Sequence, residues 1–169
     1  YQTYRKDINS VFPIKNQDAP VLYILLSSNK GMCGRFNTEL LSFFDNLISK
    51  KEKKPVILCY GKKGREYLDN KKIPYSEAFV LEDVPSYADG CELFERVKKL
   101  IEAGEISAVK IVYPRYRNMM KQSPVCVDLF SYDEGIAEGE EPLFVPDRQT
   151  VILSTAERVL VSILYKKML

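Results

Sequence analysis

The sequence predicts a three-layer α/β domain with a mostly parallel sheet and an antiparallel edge strand. Three observations carry this. Continuously apolar runs recur at Val21–Leu26, Val56–Tyr60 and Ala108–Tyr113, as expected of strands covered on both faces. Helical patterns of apolar residues follow the first two runs and precede the third, which is the alternation that builds parallel sheets. The run Met119–Phe130 instead alternates polar and apolar residues and contains Pro124, which fits an antiparallel strand near an edge.

In chain order, Tyr1–Ile14 is mixed and reads as the tail of a helix. Val21–Leu26 is the first strand, and the loop SSNKGMCGRFN, Ser27 to Asn37, leads out of it. Asn37 is a candidate N-cap, with Leu40, Leu41, Phe44, Leu47 and Ile48 at helical spacing behind it. The lysines of Lys50–Lys54 would close that helix, where the dipole favours cations. Pro55–Tyr60 is the second strand. Gly61–Asn70 is a short basic helix with Tyr67 and Leu68 inward, and Pro74–Leu81 is a weaker strand. Ser86 with Asp89 forms a capping box for a helix carrying Cys91, Phe94, Val97 and Ile101, and Gly104 ends it. Met119–Phe130 is expected to break at Ser123-Pro124. Asp133–Glu141 is an acidic loop, Leu143–Val145 a short strand or turn, and Pro146-Asp147 the start of a last helix. That helix is apolar on most sides, from Val151 to Leu164, and so needs two packing partners.

Composition narrows the chemistry. A chain of 169 residues is one domain by default and can bury roughly 70% of its unfolded surface without a disulfide or metal. The net charge of +2 argues against bulk nucleic-acid binding. Histidine is absent, so Ser-His-Asp, Cys-His and His-containing zinc sites are excluded within this chain. Cys33, Cys59, Cys91 and Cys126 show no metal-ligand spacing and suit a reducing, cytosolic compartment. No apolar run approaches the ~20 residues of a membrane-spanning helix. The chain opens at Tyr1 and closes within a helical pattern, so we expect a fragment of a longer protein.

The loop after the first strand has the position of a nucleotide-binding turn but not its residues. Neither GxxxxGK[ST] nor GxGxxG is present, only the GxxG of Gly31 and Gly34. A helix N-terminus can still attract an anion, so phosphate binding there stands as an alternative to a tight turn. Cys33 lies between glycines, near Lys30 and Arg35, which would lower a thiol pKa. No general base or second cysteine accompanies it, and a small residue in a turn is the simpler reading. The clusters Lys62-Lys63-Gly64-Arg65 and Arg115-Arg117-Lys121 fit phosphate contacts, an acidic protein surface or plain solvation. No carboxylate pair stands out as an acid/base couple, so no catalytic residue is expected.

Four segments, read in order, resemble the gamma subunit of F-type ATP synthases: SSNKGMCGRFN; YGKKGREYL; GEISAVKIVYPRY followed by QSPVCVDLF; and LFVPDRQTVILSTAERVLVSILYKKML. The resemblance covers nearly the whole chain from Val21. It implies a Rossmann-like domain that binds no nucleotide or other cofactor of its own. The family's terminal helices form a coiled coil inside a hexamer of alpha and beta subunits. Residues 1–14 and 147–169 would be remnants of those helices, flanking a single globular domain within 1–169. The resemblance implies a central-stalk rotor that couples rotation of a proton-driven membrane ring to ATP synthesis or hydrolysis. Its partners would be the alpha, beta and epsilon subunits and the c-ring, with no nucleic acid. It would sit peripherally on the cytoplasmic face of the cell membrane. By the same resemblance Lys30, Cys33 and Arg35 would lie toward the acidic lever of the beta subunits, and Leu143 and Phe144 at the foot near the ring and epsilon. The alternative is a nucleotide- or phosphate-binding enzyme or ligand-binding domain on the same fold. A third reading is a nucleic-acid-binding module. Three positions depart from the family pattern. Asn29 replaces an aspartate and Arg35 a glycine, making the loop more positive, and Val145 replaces an acidic residue. The cysteine pair of the chloroplast type is not visible, so thiol control is not implied.

Overall fold

A computed structural model describes residues 14, 16–29, 36–50, 53–79, 86–118 and 121–131. Its elements are β1 (Val21–Leu26), α1 (Phe36–Ser49), β2 (Val56–Tyr60), α2 (Lys62–Lys71), β3 (Glu77–Phe79), α3 (Tyr87–Glu102), β4 (Ala108–Asn118) and β5 (Lys121–Ser131). They form one five-stranded sheet in the order β3-β2-β1-β4-β5. The first four strands are parallel and β5 is antiparallel to β4.

The handedness of parallel crossovers sets the layers. The steps β1-α1-β2 and β2-α2-β3 move along the sheet in one direction, so a right-handed connection puts both helices on one face. The step from β3 back past β2 and β1 to β4 runs the other way, so α3 must cover the opposite face. Two cores result. Leu40, Leu41 and Phe44 of α1 and Leu68 of α2 bury Tyr23, Leu25, Ile57, Cys59 and Val112. Leu93, Phe94, Val97 and Ile101 of α3 bury Leu22, Ile24, Leu26, Leu58, Tyr60, Val109 and Ile111. Alternate residues of β1 thus serve opposite cores, which is why its sequence is apolar throughout.

Aromatic contacts fix each side. Tyr23 meets Phe44 edge-on at 6.0 Å, and Tyr60 stacks on Phe79 at 4.7 Å. Arg96 of α3 ties down the short edge strand β3, with Nη1 2.6 Å from Glu77 Oε1 and the guanidinium 5.7 Å above the Phe79 ring. Lys110 on β4 pairs with Asp128 on β5 at 2.8 Å. A register shift after Val109 leaves Leu129 as an extra residue in β5, and Leu129 turns into the α3 core.

Four boundaries differ from the sequence expectation, each for a stated reason. α1 begins at Phe36, so Asn37 lies within its first turn and is not the N-cap. α1 ends at Ser49 with no basic residue in its last turn, and Lys53 instead donates to the Asp18 carbonyl at 2.6 Å. β3 covers Glu77–Phe79, in register with Leu58–Tyr60, and Pro74–Ser76 of the expected Pro74–Leu81 run precede it, while Val80 and Leu81 lie outside the described residues. β5 runs unbroken through Ser123-Pro124, where Pro124 faces Pro114. Two prolines can oppose each other only in a non-hydrogen-bonded pair, whose N–H positions point away from the partner strand. On β4 that position lies beyond Val112, the last residue paired with β1, and on β5 it lies on the sheet edge. The expected segments at Tyr1–Pro13, Asp133–Glu141, Leu143–Val145 and Pro146–Leu169 lie outside the described residues.

The helix ends follow sequence chemistry closely. Ser86 Oγ accepts from the Asp89 amide and Asp89 Oδ2 from the Ser86 amide, completing the capping box of α3. At its other end Gly104, with φ 69°, and the Glu105-to-Leu100 hydrogen bond form a Schellman motif. α2 ends in the same way, with Ile73 bonded back to Leu68, but its left-handed residue is Lys72, at φ 55°. Lys72→Gly is therefore expected to raise stability by about 0.5–1 kcal/mol, measured by urea unfolding, because a side chain in that conformation is strained.

Candidate functional site

An open parallel sheet keeps its ligands where the strand order reverses, at the carboxyl ends of the strands. Here that point lies between β1 and β4. No helix follows β4. It turns into β5, and the two strands continue together past β1 to Asn118 and Lys121. One wall of the usual crevice is thus an antiparallel ribbon.

On the other side of β1, after β2, lies the start of α2, and the chain leaving β1 lies across it. The Gly64 amide donates to Ser27 Oγ at 2.8 Å, the Lys63 amide to the Ser28 carbonyl at 3.1 Å, and the Lys62 amide to Asn29 Oδ1 at 3.0 Å. Three consecutive residues of the strap meet three consecutive amides in antiparallel order. The fourth orphan donor, the Gly61 amide, bonds to the Phe79 carbonyl at 2.9 Å, and the Arg65 amide begins the intrahelical ladder on the Gly61 carbonyl. Gly61, the N-cap, brings no side-chain cap of its own. Every orphan donor of the helix start is therefore satisfied from within the protein.

Two glycines let the chains approach. A Cβ at Gly61, where φ is 100°, would lie 2.1 Å from the Ser27 carbonyl oxygen. A Cβ at Gly64 would lie 2.7 Å from both Ser27 Oγ and Cys59 Sγ. Ser27 adds a backbone N–H to the Tyr60 carbonyl at 2.8 Å and its hydroxyl to the same oxygen at 3.0 Å, locking the strap to the end of β2. Ser28 reaches the other way. Its hydroxyl accepts from Asn37 Nδ2 at 2.9 Å and donates to Asn37 Oδ1 at 3.0 Å. Asn37 thus acts from inside the first turn of α1, as a tie to the strap.

The electrostatics are local. Lys63 Nζ lies 2.7 Å from Glu66 Oε2, and Lys62 and Arg65 lie 3.9 and 3.8 Å from Glu66 and Asp69. The Lys63 hydrogen bond is the main cause holding the Glu66 carboxyl below its ordinary range. This cluster therefore neutralises much of itself along one exposed helix. Cys59, beneath Gly64, is a buried free thiol whose pKa is pushed up to about 12, chiefly by burial, then by Asp69. It is an inert core group. Cys91 and Cys126 likewise form no disulfide and are half-buried. Among the described residues no group of three or more Cys, Asp or Glu is placed to hold a metal ion. No described helix is long and apolar enough to cross a membrane.

Of the residues singled out from sequence, Lys30, Cys33, Arg35, Leu143 and Phe144 lie outside the described residues, as do Gly31 and Gly34. Arg115 is exposed on β4. The strap itself was missed. Its signals were a polar Ser-Ser-Asn triplet directly after an apolar strand, and two glycines three apart at a helix start.

A family model described as ATP synthase matches residues 2–169. The chain is 26% identical over 151 residues to the ATP synthase gamma chain of Clostridium botulinum, covering 89% of this chain and 53% of that one. It is 29% identical over 145 residues to that of Desulfitobacterium hafniense, covering 85% and 49%. It is 30% identical over 138 residues to that of Clostridium beijerinckii, covering 81% and 49%. The chain thus spans about half the length of the curated relatives it matches. Among solved structures it is similar to a chain of the Tetrahymena thermophila mitochondrial ATP synthase central stalk and c-ring. The TM-score is 0.70 at 15% identity, over 98% of this chain and 78% of that one. It is also similar to a chain of the Euglena gracilis mitochondrial ATP synthase rotor, with a TM-score of 0.65 at 16% identity over 99% and 69%. At those identities the likeness is one of fold.

The close approach of strap and helix gives a graded expectation. Gly64→Ala gains helix propensity but forces Cβ onto Ser27 and Cys59, and is expected to lose about 1–3 kcal/mol. Gly61→Ala meets backbone as well as positive φ and is expected to lose more than Gly64→Ala. Gly104→Ala, with the same sign of φ but nothing within 4 Å, is expected to lose only about 1 kcal/mol. Urea unfolding of the three variants checks the order.

Proposed function

The chain belongs to the ATP synthase gamma-chain family, and on that premise we propose that it is the globular foot of a central-stalk rotor. It couples rotation of a membrane ring to ATP synthesis or hydrolysis in a hexamer of alpha and beta subunits. The observation that carries this reading is the family match over residues 2–169, on a sheet whose carboxyl edge at β1 and β2 is closed by the protein's own strap. A torque-transmitting part needs stiffness rather than chemistry. Two cores on opposite faces of one sheet, with β1 shared by both, supply a body that resists shear between its layers.

The detailed assignments follow from family membership. Residues 1–14 and 147–169 continue the terminal helices, and the rest forms one globular domain. The partners are the alpha, beta and epsilon subunits and the c-ring. The protein is peripheral to the membrane, at its cytoplasmic face. Lys30, Cys33 and Arg35 face the acidic lever of the beta subunits, where the added charge of Arg35 strengthens electrostatic attraction. Leu143 and Phe144 contact the ring and epsilon. The titles of the fold neighbours, which describe rotor, central-stalk and c-ring assemblies, support this placement.

Affinity purification of the full-length gene product from native membranes, followed by mass spectrometry, tests the reading. Co-recovery of alpha, beta, epsilon and ring subunits is expected, and recovery of the protein alone from the soluble fraction would overturn it. Within the assembled complex, the double reversal Lys30→Glu with Arg35→Glu is expected to lower proton pumping per ATP hydrolysed by about threefold or more, since like charges would then oppose the lever. Unchanged pumping would remove these two residues from the contact.

A further inference from the structure

The antiparallel strap distributes its work unevenly. Ser27 anchors to β2 and α2 through three hydrogen bonds in a half-buried corner, whereas Asn29 makes its bond to Lys62 at the exposed rim. No apolar group of either core depends on Asn29. The Asn29 bond and the Ser28–Asn37 pair nevertheless pin both ends of the connection between β1 and α1. Ser28 is bonded to Asn37 and, through its carbonyl, to Lys63, and Asn29 reaches Lys62. The chain leaving β1 is therefore referenced to α2 as well as to the helix it enters.

We propose that Asn29 is a positioning residue for coupling, acting through its side-chain hold on the Lys62 amide. The inference rests on the rotor reading above. Its physical content is that a contact made by the chain just after β1 transmits force only if its base does not yield. The bond to α2 routes that force into β2 and the sheet. The Lys62 amide needs only an oxygen acceptor from position 29. Aspartate supplies one and adds a charge favourable to the positive end of α2, whereas alanine supplies none.

The opposite half of the bond offers an independent test. Lys62 is the first residue of α2, where proline is well tolerated in a helix. Lys62→Pro deletes the N–H that Asn29 accepts from and leaves Asn29 intact. Lys62→Ala keeps that N–H and removes only the ion pair of its Nζ with Glu66.

The experiment uses the full-length chain in the assembled complex, reconstituted into vesicles, with ATP hydrolysis and proton pumping measured together. Asn29→Ala and Lys62→Pro are each expected to leave hydrolysis within about twofold while lowering pumping per ATP by about threefold. The double variant should be no worse than either single one, because both remove the same bond. Asn29→Asp and Lys62→Ala should pump like the unaltered chain. Amide exchange should accelerate at Lys62 in Asn29→Ala. Pumping unchanged in Asn29→Ala, additive losses in the double variant, or failure of Asn29→Asp to restore pumping would each overturn the proposal. If Asn29→Ala does not assemble, Lys62→Pro against Lys62→Ala decides. Should the unaltered chain itself fail to assemble with alpha and beta subunits, the rotor reading falls first, a result distinct from a coupled complex indifferent to Asn29.

Discussion

β1 is enclosed on every side, and most of the architecture is a consequence. Its backbone is taken by β2 and β4 and its side chains by helices on both faces, leaving Leu22 to Leu26 at most 4% exposed. A strand in that position must be apolar at every residue. It must also be central, so the chain has to leave it, build β2 and β3 on one side, and return across the opposite face to lay down β4 on the other. The two cores are the two faces of that one constraint.

The same enclosure explains the strap. The chain leaving that buried strand carries polar groups only half-open to water, and the start of α2 has donors without intrahelical partners. Ser27, Ser28 and Asn29 bring the two deficits together. Gly61 is required because the Ser27 backbone lies against it, and Gly64 because the Ser27 and Cys59 side chains do, so that even a methyl group has no room at either. The protein closes this corner with its own side chains and carbonyl oxygens. The result suits a part that works by stiffness.

The antiparallel ribbon of β4 and β5 completes the picture. Its ladder extends beyond the end of β1 and accommodates the facing prolines where no hydrogen bond is asked of them. Leu129, the extra residue at the register shift, joins Val125 and Val127 of the same strand against the α3 core. Neither feature adds chemistry. Both give the edge of the sheet a defined shape beside the exit from β1.

The layers, the strand pairing class and the caps of α3 were legible in the sequence by itself, because each rests on residues close together in the chain. Hydrophobic period separates Val21–Leu26 from the Leu40–Ile48 stripe, and Ser86 signals its partner Asp89 only three positions on. The family resemblance was legible for a related reason, since ordered local motifs survive without knowledge of contacts. The boundaries at Asn37, Lys50–Lys54 and Ser123-Pro124 were not, because distant partners decided them. Asn37 was claimed by Ser28, Lys53 by Asp18 some 35 residues away, and Pro124 by its register against Pro114. The strap is the fullest case: Ser27 and Gly64 are 37 residues apart, and what unites them is the absence of a side chain on one and an oxygen on the other. Local patterning determined which segments would be strands and helices. Only the tertiary structure decided which polar atoms would meet at the end of β1, because hydrogen bonds there are assigned by proximity after the hydrophobic faces have closed.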